Sequence, residues 1–200
     1  MTLRPFLLAG VLALGACGSV PTSYYTLIPS EPQAGTSAGQ PSGFQLQVMP
    51  VRIPVQVDQP SLVVRQSDGQ LAILESALWA APLADEFHDA LAAELEQRFG
   101  VRDLAGLPGD PDRPLLNVRT DVRRFESLPG RHAVLDVVWS LELASSRGER
   151  RTLTCATVVQ ERASTELPSL VLAHQRAIST LAEQISTTAR RWATGAAGCP

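Results

Sequence analysis

The chain has 200 residues, of which 17 are basic and 20 acidic, giving a net charge of −3; that balance leaves no clustered cationic footprint for nucleic acid. All 17 basic residues are arginine, which excludes a Schiff-base lysine, a P-loop lysine and a Ser-Lys dyad. With 44% hydrophobic and 18% charged residues the chain can bury a core, and its length suits one domain plus a tether.

The N-terminus carries Arg4 and then about ten apolar residues from Pro5 to Leu14, too short a run to cross a bilayer core of about 30 Å as a helix. It fits the apolar region of a secretory signal. Leu14-Gly15-Ala16-Cys17 resembles the lipobox of bacterial lipoproteins, which implies a signal peptide over 1–16, cleavage between Ala16 and Cys17, a diacylglycerol on the thiol and an acyl group on the new amine. Several acyl chains hold a protein on a membrane where a single chain binds only marginally. Gly18 and Ser19 follow, without the aspartate that retains such proteins at the inner membrane, so the resemblance points to the periplasmic face of the outer membrane. The plain alternative is an ordinary cleaved signal with an incidental cysteine.

Residues 17–43 read as a lipidated N-terminus and tether, Pro/Gly/Ser-rich from 29 to 43; within it Tyr24-Tyr25-Thr26-Leu27 adds a short strand or a binding element close to the lipid. Gly35-Thr36-Ser37-Ala38-Gly39 spells the G-x-S-x-G of a nucleophile elbow, but that motif needs a strand before it and a helix after it. A domain follows over 44–194. Phe44–Val48 alternates as a half-buried strand, Val51–Pro54 continues extended, and Leu62–Arg65 and Leu71–Leu74 flank Asp68-Gly69, a hairpin signal. Pro82–Phe99 is helical, with Leu83, Phe87, Leu91 and Leu95 at i, i+4 spacing and Asp85, Glu86 and Asp89 near its positive end. Three more strands are expected over Leu116–Phe125, Ala133–Leu143 and Thr152–Glu161. A helix over Leu167–Trp192 comes last, before a tail at 195–200. The fold class is α+β: a mixed, largely antiparallel sheet with two long helices in βββαβββα order, in a single domain.

Two cysteines remain after Cys17. Export implies an oxidising compartment, and a Cys155–Cys199 disulfide would tie the C-terminal tail to the sheet; a buried free thiol plus a frayed terminal one is the other reading, since spacing does not fix the Cα separation. His88, His132 and His174 have no metal-ligand spacing and read as structural. Asp110 and Asp112 supply too few oxygens for calcium. No metal site, cofactor or catalytic residue is expected.

Several segments in order resemble the ABC-type transport auxiliary lipoproteins, the PqiC/YmbA-like family. They are Cys17, Ser23-Tyr24-Tyr25-Thr26-Leu27, Val48-Met49-Pro50-Val51-Arg52-Ile53-Pro54, Asp58-Gln59-Pro60-Ser61-Leu62-Val63-Val64-Arg65, Trp79-Ala80-Ala81-Pro82-Leu83, Arg124-Phe125-Glu126 and the final helix. The resemblance implies a non-enzymatic periplasmic domain on an outer-membrane lipid anchor. Its implied partners are an MCE-domain protein with its ABC permease and ATPase, in intermembrane lipid transport, with assembly into a homo-oligomeric ring. Tyr24, Tyr25 and Trp79 are the aromatics expected at a partner contact, although Trp79, immediately before a helix, suits packing on the sheet rather better. The rival reading is a structural envelope lipoprotein that binds cell wall or an assembly machine; a hydrolase using Ser37 is the third.

Overall fold

The computed structural model describes residues 21–30, 42–145, 147–195 and 198–200; the signal peptide, Cys17 and Ser37 lie outside them. The elements are β1 (Ser23–Tyr25), β2 (Gln45–Val48), β3 (Ser61–Ser67), β4 (Gln70–Trp79), α1 (Leu83–Phe99), β5 (Leu115–Leu128), β6 (His132–Ala144), β7 (Arg150–Arg162) and α2 (Leu167–Ala193). The architecture is α+β, and β1 precedes the six strands and two helices expected.

The strands divide between two sheets. The smaller has the order β1-β4-β3 and the larger β2-β5-β6-β7. Each is mixed: β1 runs parallel to β4 and β2 parallel to β5, while β3–β4, β5–β6 and β6–β7 are antiparallel. Val51–Pro54 contributes only an isolated bridge, Arg52 to Asp121, because Pro50 and Pro54 flank it and proline has no N–H for a ladder.

Strict alternation builds the larger sheet. Leu135, Val137, Trp139 and Leu141 of β6 are each at most 1% exposed, on the face that α2 covers. Burial of each such side chain contributes about 1.5–3 kcal/mol relative to exposure. α1 buries Leu83, Phe87, Leu91 and Leu95 as one stripe and stops at Gly100, whose φ of 65° is the left-handed conformation that ends helices. α2 starts with Pro168 in its first turn and ends with Arg190 and Arg191 at its negative end. Polar clasps join the layers. Trp139 Nε1 donates to Thr157 Oγ1 at 3.0 Å, and that hydroxyl donates to Gln184 on α2 at 2.9 Å. Between the helices, Arg98 Nη2 and Glu94 Oε2 are 3.0 Å apart with little exposure, and the Ser179 hydroxyl bonds both. The sulfurs of Cys155 and Cys199 are bonded, with Cα atoms 5.5 Å apart, so the tail returns to β7.

Candidate functional site

The N-terminal strand is the feature on which any anchor must act. β1 is only three residues long, yet it pairs with the C-terminal end of β4, Ser23 opposite Ala77 and Tyr25 opposite Trp79. The Ala80 N–H extends the pairing by donating to the Tyr25 carbonyl at 2.8 Å. Thr26 and Leu27 are then held by α1: Glu86 Oε2 accepts from the Thr26 hydroxyl at 2.7 Å and from the Leu27 N–H at 2.8 Å. From α2, Gln175 Nε2 donates to the Thr26 carbonyl at 3.1 Å. Leu27 is fully buried. A buried carboxylate needs hydrogen bonds of this kind, and this one spends them on the backbone just after β1. The sequence marks Glu86 as a first-turn acid favouring the helix dipole; that it faces inward onto a segment 60 residues earlier has no local signal.

The docked strand interrupts the tether expected over 17–43. Ser23 follows Cys17 by six residues, so covalent geometry limits the Cys17-to-β1 distance to about 20 Å. Residues 31–41 fall between two docked elements and add nothing to the reach of an N-terminal lipid.

The three aromatics expected at a partner contact separate. Tyr24 is 68% exposed. Tyr25 is half-buried and packs against the core. Trp79 is 5% exposed and meets Phe125 edge-on, ring centroids 6.1 Å apart. The end of β4 turns its indole inward, so Trp79 is a core residue and its expectation as a contact is corrected.

His174 is the most perturbed titratable group. It is fully buried on α2, stacked on Phe125 with centroids 3.9 Å apart, and its Nε2 shares a 2.8 Å hydrogen bond with the Ser127 hydroxyl. Its Nδ1 has no partner among the described residues. Burial lowers its pKa to about 3, so the ring stays neutral at ordinary pH. The serine of this pair is itself buried, which gives the pair a packing role rather than access to a substrate. His88 behaves oppositely. Partial burial lowers its pKa, but the hydrogen bond to Asp89 (2.9 Å), the contact with the Val48 carbonyl and the charges of Asp89 and Asp103 raise it on balance. Among the described residues no group of three or more His, Cys, Asp or Glu side chains could hold a metal ion, and no helix is long and apolar enough to cross a membrane.

A groove of about 360 Å³ lies between the β3–β4 hairpin, β5 and the loop after Pro54. Val57, Val63 and Leu71 give it an apolar lining, and Arg65, Arg123 and Arg124 border it. Arg65 pairs with Glu126 at 2.6 Å, Arg124 with Glu126 at 3.2 Å and Arg123 with Asp121 at 3.5 Å.

Two solved structures share the fold. One, of an uncharacterized protein, has a TM-score of 0.60 at 20% identity, covering 84% of this chain and 98% of that one. The other, a Xanthomonas campestris protein of the DUF330 family, has a TM-score of 0.57 at 20% identity, covering 86% of this chain and 99% of that one. No curated protein matches the chain. The family of ABC-type transport auxiliary lipoprotein components matches residues 25–186, from the last residue of β1 through most of α2, and the chain belongs to that family.

Proposed function

We propose that the chain is a non-enzymatic accessory component of an MCE-type intermembrane lipid transport system. Acylated Cys17 holds it on the periplasmic face of the outer membrane. There it docks an MCE-domain partner that works with an ABC permease and ATPase. The family match over residues 25–186 carries the reading. Two features of the chain support it: the lipobox-like Leu14–Cys17, and a first strand six residues later that is followed by the Glu86 clasp on Thr26 and Leu27, which keeps the anchor within about 20 Å of the domain. Confinement on one membrane raises the effective concentration for a partner crossing the periplasm, so a modest contact suffices. Tyr24, exposed on β1, is the aromatic proposed for that contact.

The test is affinity purification of the full acylated protein from native membranes in mild detergent, followed by mass spectrometry. Recovery of an MCE-domain protein, reduced by Tyr24→Ala at unchanged melting temperature, supports the reading. Recovery of only cell-wall or assembly factors, with the bait intact and acylated, contradicts it in favour of a structural envelope lipoprotein.

A further inference from the structure

The hairpin of the smaller sheet presents apolar side chains where solvent would select polar ones. Leu71 is 43% exposed and Ile73 56% exposed. They stand opposite Arg65 and Val63 on one face of the β3–β4 ladder, while the Leu62–Leu74 pair, on the other face, joins the core. Beside them Val55, between the groove-lining Pro54 and Gln56, is 84% exposed. An antiparallel pair with one face in water normally alternates apolar-in and polar-out, and this one breaks the pattern at its tip.

The register of β1 says what lies opposite that tip. Because β1 is parallel to β4 with Ser23 facing Ala77, the N-terminal end of β1 faces the Ser67–Gln70 end of the hairpin. Six residues back from Ser23 is Cys17, and six residues back from Ala77 is Leu71. At the strand rise both distances are at most about 20 Å. The covalent reach of the segment before Ser23 therefore lets the anchor lie level with the hairpin tip.

We propose that the β3–β4 tip rests on the lipid surface that holds Cys17. Leu71, Ile73 and Val55 enter the boundary between headgroups and acyl chains, and Arg123 and Arg124 on neighbouring β5 face the phosphates. The inference rests on the acylated Cys17 of the proposed function and adds an orientation: the hairpin and the neighbouring part of β5 face the membrane, and β6 and β7 stand away from it. Arginine suits the position, since its fork pairs with phosphate and exchanges readily from the Glu126 and Asp121 carboxylates. Shallow apolar insertion beside an acyl anchor is enough to fix orientation, because the anchor already supplies the affinity.

The test uses the full mature protein, acylated in cells and reconstituted into vesicles of phosphatidylethanolamine and phosphatidylglycerol. Single variants Leu71→Cys, Ile73→Cys and, as the distant exposed control on β7, Val158→Cys carry an environment-sensitive fluorophore, and the lipid carries a nitroxide quencher. Labels at 71 and 73 should shift to shorter wavelength and be quenched at least about twofold more than the label at 158. Equal solvent exposure at all three positions, with Cys17 acylated by mass, overturns the hairpin contact and leaves the lipoprotein reading standing; the apolar tip is then free for a protein partner. An unacylated Cys17 overturns both.

Discussion

The two sheets solve different problems with the same chain. The larger one buries one face almost completely under α2, carries the polar clasp from Trp139 through Thr157 to Gln184, and is tied to the C-terminal tail by Cys155–Cys199. The smaller one is three strands wide. It holds β1 through short pairing and one carboxylate, and leaves Tyr24, Leu71 and Ile73 in the open. The disulfide and the polar clasp stabilise the larger sheet, while the smaller one leaves several apolar side chains in solvent beside the N-terminal strand. A monomeric domain rarely keeps exposed apolar patches without a use for them.

The sharpest way to break the stable region is at the buried Arg98–Glu94 ion pair within α1, which Ser179 of α2 also bonds. Arg98→Met strands the Glu94 carboxylate and should cost about 3–5 kcal/mol, whereas the double variant Arg98→Met/Glu94→Leu should recover most of it; denaturant unfolding of both variants checks this. Loss of the disulfide comes next. Cys199→Ser should lower stability by about 2–4 kcal/mol, with wild-type under reductant falling to the same level. Beside the smaller sheet, Glu86→Ala leaves the buried Leu27 N–H unpaired and removes the acceptor of the Thr26 hydroxyl, at a cost of about 1–3 kcal/mol. Glu86→Gln, which keeps an acceptor, should cost less. Limited proteolysis should then cut near residues 26–30 in the alanine variant while the larger sheet survives.

The gentlest probe is pH. The His174 pKa is lowered to about 3, below the unfolded value of about 6.5. Above pH 6.5 the ring is neutral in both states and contributes no slope. As pH falls from there toward 3, only the unfolded chain takes up the proton, so stability should drop by about 1.4 kcal/mol per pH unit from this group. His88, raised on balance, stabilises in the acid range and loses that contribution as pH rises through its folded pKa. A His174→Phe variant, which keeps the stack on Phe125, should flatten the acid slope and isolate the His174 part.

What the sequence revealed follows the range of the interactions. The alternation of Leu135, Val137, Trp139 and Leu141 and the apolar face of α2 are local patterns, and the Asp68-Gly69 turn is a local signal; all three are visible in the chain. The division into two sheets is not, because it depends on the irregular register between Ser61 and Leu62 and on the parallel pairings of β1 and β2, which join distant segments. Tyr24–Leu27 reads as an added element, but its fixing by Glu86 required two side chains 60 residues apart to meet. Trp79, immediately before a helix, reads as either core or contact with the core the better fit, and the direction of the end of β4 settles it as core. Cys155 and Cys199 are 44 residues apart, and only the return of the tail to β7 brings their Cα atoms within bonding range.

The division of labour between the sheets is tested most directly by hydrogen exchange, comparing the free protein, the acylated protein in vesicles, and the same vesicles with the proposed MCE-domain partner. The account predicts added protection of the β3–β4 hairpin and the loop after Pro54 on vesicles and of β1 with the partner, with β6 and β7 unchanged. Protection that appears along β7 and leaves the smaller sheet untouched would contradict it.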